Sequence, residues 1–490
     1  MLKGVIYSLT FLLSVLAFTR IRSHRARQYF LLVASYGLYL SWSRWFVLVL
    51  LASTVMNFLL GQSLRRNASR LVLTAAIILN LALLSSFKYL PELSLQFPFG
   101  SLQRFSHVAL PLGISFWTFQ AMSYLFDLYR GEELDPSFVE FALYMVFFPV
   151  AISGPICRMP EMLPQFRSER LTPWADIGRG LARIATGIFM MQLARLLGQG
   201  ILAGGGIDAG FDHVTIWSGL DVWCLAFGYA LQLFFNFAGY SHIAIGAAQA
   251  LGFAIPENFA RPFLSTTPSV FWTRWHMSLS FWIRDYMFFP MATMYRAMWW
   301  RTLVLALSMV LFGIWHGATA LFLLWGCYHG LLLVLHRQWQ GLQRRLNWNP
   351  RQAILTPASW LVTTVLISLG WILFRSHSLA QAKQMFSAVF SASYRAHFLS
   401  GSLYALVGSM AIGYGMTLLV ADALAGYSLS QQPSSENAGS SSAPGSPLVS
   451  TLAIYRYYWL APLYGLSLLV VYLMTHAQEA GGAQFMYRQF

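Results

Sequence analysis

Charged side chains are scarce in this chain: Asp, Glu, Lys and Arg make up 10% of its 490 residues. An average soluble domain carries about 25%. With 57% hydrophobic and 16% aromatic residues, a soluble fold of this length would be left with apolar surface it could not hide. A soluble protein is excluded, and the composition implies a polytopic membrane protein. Acidic residues are rarer than basic ones, 17 against 32, for a net charge of +15. The basic residues fall in short clusters between apolar runs. That is the pattern of the positive-inside rule and of contact with anionic membrane lipid, not of nucleic-acid binding. Only three cysteines are present, Cys157, Cys224 and Cys327, scattered through apolar segments. No CxxC and no Cys/His ligand spacing occurs, so the sequence suggests buried, reduced thiols, with neither a disulfide framework nor a metal site. A Gly-rich phosphate loop, a GxSxG elbow and an HExxH pair are all missing, which removes the corresponding chemistries.

Long apolar runs fill most of the chain. A spanning helix needs roughly 20 mainly apolar residues. Candidate runs lie near 3–19, 29–42, 45–61, 71–89, 109–128, 138–156, 179–200, 218–236, 240–254, 302–318, 319–336, 357–375, 403–424 and 457–475. Several are short, so about a dozen true spans are expected, with others tilted or re-entrant. The first run, Val5 to Phe18, is followed by RIRSHRAR. Its basic residues come after the apolar stretch, the reverse of a signal peptide, which suggests a first transmembrane helix. Charge places Arg20–Arg27, Arg65–Arg70 and Arg337–Arg351 in the cytoplasm, with the Ser41–Arg44 link and the N-terminus outside. The Ser-, Gly- and Pro-rich stretch 428–450 reads as a flexible loop within a single membrane domain covering 1–490.

The stretch from Phe271 to Gly330 concentrates polar groups in this apolar setting. It holds His276, Arg284, Asp285, His316 and His329 beside Trp272, Trp275, Trp282, Trp315 and Trp325. Ionisable groups within a bilayer are costly and default to a functional reading. His316 ends an apolar run and precedes Gly317 and Ala318, small residues that let a backbone or thin ligand approach. Imidazole is the usual general base for a hydroxyl. The alternative is a neutral core histidine bonded across helices. On one helix Trp272, His276 and Ser280 would share a face at i, i+4 and i+8. Arg284 and Asp285 are adjacent, so on a helix they should face different neighbours and serve local architecture. His329 follows His316 by thirteen residues, which places it on nearly the opposite face of a continuous helix and outside the same site. Asn236 and His242 suit either cavity lining or interhelical hydrogen bonding. Arg158 follows a Gly154–Pro155 helix break, and Lys88 resembles a lysine snorkelling at a helix end.

Eight ordered motifs carry a family resemblance: NLALLSSFKYL (80–90), LPLGISFWTFQAMSYLFDLYRG (110–131), FFPVAISGPICR (147–158), LQLFFNFAGYSHIAIG (231–246), FWTRWHMSLSFWIRDYMFFP (271–290), GIWHGATALFLLWGCYHG (313–330), GWILFR (370–375) and QFMYRQF (484–490). Together they resemble the membrane-bound O-acyltransferase family, nearest in look to its bacterial alginate O-acetylation branch. The resemblance implies an all-α ring of about a dozen helices, with re-entrant and interfacial helices around a central tunnel. It implies that His316, in the family's WHG motif, and His276, in its RWHxSLS motif, are catalytic. Trp275, Ser280, Trp315, Asn236, Arg284 and Asp285 are the candidates for lining the substrate path. The implied donor is a thioester substrate, acetyl-CoA or an acyl group on a carrier protein, with no bound cofactor and no metal. The implied acceptor is a hydroxyl on an exported polysaccharide or on a partner protein. The implied partners are membrane lipid, an extracytoplasmic acetyltransferase- or esterase-like protein and an acyl carrier protein. The expected location is the bacterial inner membrane.

The chain departs from the family pattern at three places. An Asp-Phe-Ser-Gly-Tyr-Ser-Asp run is replaced by Asn236 to His242, which removes both acidic positions. A Gly-Gly-Asn-Arg turn gives way to Met291–Tyr295, and lysines near residue 190 to Met190, Met191 and Gln192. These changes touch substrate identity more than the histidines. Two other readings stand beside acetyl transfer: D-alanyl or other acyl transfer from a carrier protein to an envelope polymer, and a non-enzymatic transporter with polar helices along its path.

Overall fold

The computed structural model describes residues 2–96, 109–201, 205–213, 215–347, 352–390 and 398–430. Helices α1 (Leu2–Arg20), α2 (His24–Trp42), α3 (Arg44–Arg66), α4 (Arg70–Gln96), α5 (Ile114–Tyr129), α6 (Phe138–Val146), α7 (Met159–Phe166), α8 (Trp174–Gln199), α9 (Ile207–Asp212) and α10 (Gly219–Ala250) come first. They are followed by α11 (Pro268–Trp272), α12 (Met277–Ile283), α13 (Phe289–Ala292), α14 (Met298–His316), α15 (Ala320–Arg345), α16 (Gln352–Arg375), α17 (Leu379–Phe390) and α18 (Gly401–Ser430). Among the described residues the only strand-like pairing is one isolated bridge, Phe259 with Trp275. The protein is all-α, as a chain that must satisfy its backbone polar groups inside lipid requires.

Seven described helices are long and apolar enough to cross a membrane: Arg44–Arg66, Arg70–Ser94, Trp174–Gln199, Gly219–Ala250, Met298–His316, Ala320–Arg345 and Thr356–Arg375. Two expected runs, 218–236 and 240–254, are one helix, α10. The run 138–156 is a helix only to Val146; a turn over 148–153 follows, and Gly154 and Pro155 lie in the non-helical stretch between it and α7. The run 457–475 falls outside the described residues. So does the loop expected at 428–450 from residue 431 on, while 428–430 close α18.

The described fold comprises two compact units. The first takes the chain up to Gly187 and Tyr240–Leu379. Its helices are joined by buried polar groups as well as by apolar packing. Asn57 on α3 and Asn80 on α4 exchange amide hydrogen bonds at 3.1 and 2.7 Å, both side chains fully buried. Such pairs hold helices together where lipid offers no hydrophobic drive between them. Ser137 and Glu140 form a capping box at the start of α6, and Glu140 also accepts from Arg167 at 2.7 Å. Gly113 opens α5 at φ 72°, where a Cβ would lie 1.8 Å from the Ala151 carbonyl oxygen, so only glycine fits.

The second unit holds Ile188–Gly239 and, among the described residues, those from Ala380 to Ser430. Its described part is organised by Asp221, a fully buried carboxylate. Asp221 accepts from the backbone N–H of Ser218 at 2.8 Å, from those of Phe398 and Leu399 at 3.1 Å, and from the Tyr404 hydroxyl.

Candidate active site

The site lies within the first unit and begins with a helix pair. In α14 and α15, Gly313 and Gly326 face each other; a Cβ on Gly313 would stand 2.3 Å from the Phe322 carbonyl oxygen and 3.0 Å from the Gly326 Cα. Small residues let the two backbones touch. Between the helices the chain is extended at Gly317, φ −178°, and Thr319 caps α15 through the Phe322 N–H. This break makes His316 the last residue of α14. Its ring is buried among Trp315 (4.8 Å between ring centroids), Phe374 (4.9 Å), Phe312 (5.3 Å) and Trp325 (5.4 Å).

The break also removes the premise on which His329 was set apart. With α14 and α15 separate, the opposite-face argument for one continuous helix no longer applies. His329 is fully buried, 4.8 Å from Trp325 and 5.1 Å from Trp272, so it shares Trp325 as a neighbour with His316.

His276 is placed by a different device. Trp272, His276 and Ser280 do not share one helical face, because α11 ends at Trp272 and α12 starts at Met277. His276 stands between them in the left-handed conformation, φ 44° and ψ 52°. A non-glycine residue there is strained and needs support from its surroundings. Asn258 supplies it: its carbonyl accepts the Met277 N–H at 2.9 Å, and its Oδ1 accepts the Ser278 hydroxyl at 2.6 Å. Asn258 in turn donates to Ser241 Oγ at 3.1 Å. Ser280 Oγ donates to the Trp275 carbonyl at 3.1 Å, closing the same turn.

Both catalytic candidates pack on one indole. The Trp315 ring lies 4.8 Å from His316 and 6.2 Å from His276. Phe119 stacks on Trp315 at 5.7 Å and on Trp282 at 4.3 Å, and Trp282 Nε1 donates to the Phe119 carbonyl at 3.0 Å. Trp275 packs next to this group, at 5.2 Å from Trp371 and 5.5 Å from Phe271. Asn236 is half-buried on α10 within the second unit.

Arg284 and Asp285 meet, contrary to the expectation that neighbours on a helix diverge. They lie on a π-helical turn, Arg284–Phe288, and the long Arg284 side chain folds back to donate to Asp285 at 2.6 Å. Arg158 reaches the other carboxylate oxygen at 2.7 Å. Burial would raise the Asp285 pKa, but the hydrogen bonds from Arg284 and Arg158 outweigh it and hold the carboxyl below its ordinary value. The ring of Tyr286 is faced by Arg130 and Arg158, each 5.0 Å from its centroid, while its hydroxyl donates to Asp127 at 2.8 Å. Asp127, Arg130, Arg158, Asp285 and Tyr286 line a cavity of about 490 Å³, together with Glu132 and Glu161. From Tyr286 the aromatic contacts run through Trp282 (5.3 Å) and Phe119 to Trp315 and the histidines.

Sequence reasoning missed three residues. Lys88, read as snorkelling at a helix end, is buried with its Nζ 4.8 Å from the Trp315 ring centroid. Glu92, one turn on, accepts the Ala318 N–H at 2.8 Å. Asn258 carries no pattern that would mark it. Lys88 had a signal, a lysine inside an apolar run. Cys157 and Cys224 are buried free thiols as expected, but Cys327 is exposed on α15. No cluster of three potential metal ligands occurs among the described residues.

The family description "MBOAT, membrane-bound O-acyltransferase family" matches residues 29–376. The chain is 33% identical over 388 residues to the "Probable alginate O-acetylase AlgI" of Pseudomonas aeruginosa, covering 75% of this chain and 70% of the relative. It is 30% identical to the peptidoglycan O-acetyltransferase of Helicobacter pylori, covering 72% and 71%. It is also 30% identical to the teichoic acid D-alanyltransferase of Streptococcus thermophilus, covering 50% and 61%. With this match across most of its length, and with helices able to cross a membrane, the chain belongs to the membrane-bound O-acyltransferase family and is an O-acyltransferase.

Proposed function

We propose that the protein moves an acetyl group from a cytoplasmic thioester, acetyl-CoA or an acyl carrier protein, to a hydroxyl on an exported polysaccharide or on a partner protein that modifies one. The cell would be bacterial and the membrane its inner one. The observation that carries this reading is the packing of His316 and His276 on Trp315 inside an apolar site. His316 is the general base. It takes the hydroxyl proton as the oxygen attacks the thioester carbonyl, and returns it to the departing thiolate. His276 orients the donor. No serine or cysteine stands out as a nucleophile, so transfer is direct. The 490 Å³ cavity beside Arg158 and Tyr286 suits the approach of a polar donor head. An extracytoplasmic esterase-like partner would complete transfer to the polymer.

The test is His316→Ala at unchanged protein level. Alkali-labile acetyl on the exported polymer should disappear; retained acetyl would reject the base. A second reading, D-alanyl transfer, is favoured by the match to the teichoic acid enzyme over half of this chain. Acetate released by mild alkali supports the first reading, and D-alanine the second.

A further inference from the structure

Lys88 has no place in the reading above. It lies in the membrane-crossing part of α4, between Arg70 and Ser94, and only 8% of its surface is exposed. Its Nζ has no hydrogen-bond partner among the described residues. An ammonium held this way loses its hydration and gains little in return, so a structural role would favour replacing it by an apolar side chain. What surrounds it is the active site. Nζ lies 4.8 Å from the Trp315 ring centroid, over the indole on which both histidines pack. Glu92, one turn further, does not form a salt bridge with it; its Oε2 accepts the Ala318 N–H at 2.8 Å. That bond ties α4 to the loop directly after His316, and so fixes Lys88 beside it.

We propose that Lys88 is a catalytic residue that stabilises the oxyanion of acyl transfer, an inference that rests on His316 acting as base. As the hydroxyl oxygen bonds to the thioester carbonyl carbon, its proton passes to the His316 imidazole and the carbonyl π electrons move onto oxygen. Lys88 meets that negative charge. The oxyanion then collapses, the C–S bond breaks, and the thiolate takes the proton back from His316, leaving ester and thiol. A cation fixed in a low-dielectric site acts far more strongly on developing charge than it would in water. In the resting enzyme the Trp315 face is its stand-in partner, a weak one that an oxyanion displaces.

The experiment compares the full wild-type chain with Lys88→Met, Lys88→Arg and His316→Ala, each supplied to cells lacking the chromosomal copy. It reads the initial rate of alkali-labile ester formation on the exported polymer per unit of protein, and the unfolding temperature of each purified variant. K88M should lose about 100-fold or more of the rate, with an unfolding temperature equal to or above wild type. K88R should recover at least tenfold over K88M. K88M within threefold of wild type, with H316A inactive, overturns the role of Lys88 and leaves the base standing. K88R no better than K88M also overturns that role, as does a fall in the K88M unfolding temperature that accounts for its lost activity. Ester formation by H316A, or none by wild type, overturns the underlying reading and this inference with it.

Discussion

Glu92 Oε2 accepts the backbone N–H of Ala318 at 2.8 Å, joining α4 to the loop that follows His316. The loop has left helical geometry at Gly317, so this N–H has no intrahelical acceptor. Removing the carboxylate should therefore cost about 1–3 kcal/mol of stability and loosen His316. Glu92→Ala should lower both the unfolding temperature and the acylation rate. Glu92→Gln, which keeps an acceptor oxygen, should stay near wild type in stability. Equal unfolding temperatures for the two variants would show that the bond holds nothing.

His276 offers a separation of backbone from chemistry. At φ 44° the position suits Asn better than most residues and suits β-branched residues worst. His276→Asn should fold to near wild-type levels and show reduced acylation. His276→Val should accumulate poorly in the membrane. Equal accumulation of both would mean that the Asn258-supported turn relaxes at little cost.

The close contact of α14 and α15 should be intolerant of added volume. A Cβ on Gly326 would lie 2.6 Å from the Met309 carbonyl oxygen, which is backbone and cannot rotate away. Gly326→Val should destabilise by about 1–3 kcal/mol or more, seen as a lower unfolding temperature, and should reduce activity by displacing His316. Gly341 has open space around the equivalent position, so Gly341→Ala serves as the tolerated control.

Acidification should unfasten the Arg158–Asp285–Arg284 group. The Asp285 carboxyl has a folded pKa below its ordinary value. Its contribution is therefore fully present above the unfolded value, near pH 4, and is lost as pH falls through the lowered folded value. The difference in unfolding temperature between wild type and Asp285→Asn should be largest near neutral pH and shrink below about pH 4. A difference that stays constant down to pH 3 would assign the stability to packing instead.

Membrane class, all-α architecture and a polar stretch from Phe271 to Gly330 are determined by sequence alone, because hydropathy and the scarcity of charge act residue by residue. The family was legible for a related reason: its motifs are continuous runs, so WHG at 315–317 and RWH at 274–276 can be read without knowing what they touch. Contacts that depend on where a helix stops were not. Periodicity assumed one helix through Trp272, His276 and Ser280, and one through His316 and His329, but Asn258 and the extended Gly317 end those helices. Asn258 acts on that turn from outside its motif, and a glycine beside His316 does not by itself fix where the helix stops. Adjacency likewise hid the Arg284–Asp285 pair, which lies on a π turn and shares the carboxylate with a third partner, Arg158. The placement of Lys88 was decided by tertiary structure alone. A lysine in an apolar run reaches water or is buried according to what packs over it, and here the Trp315 indole lies over its ammonium.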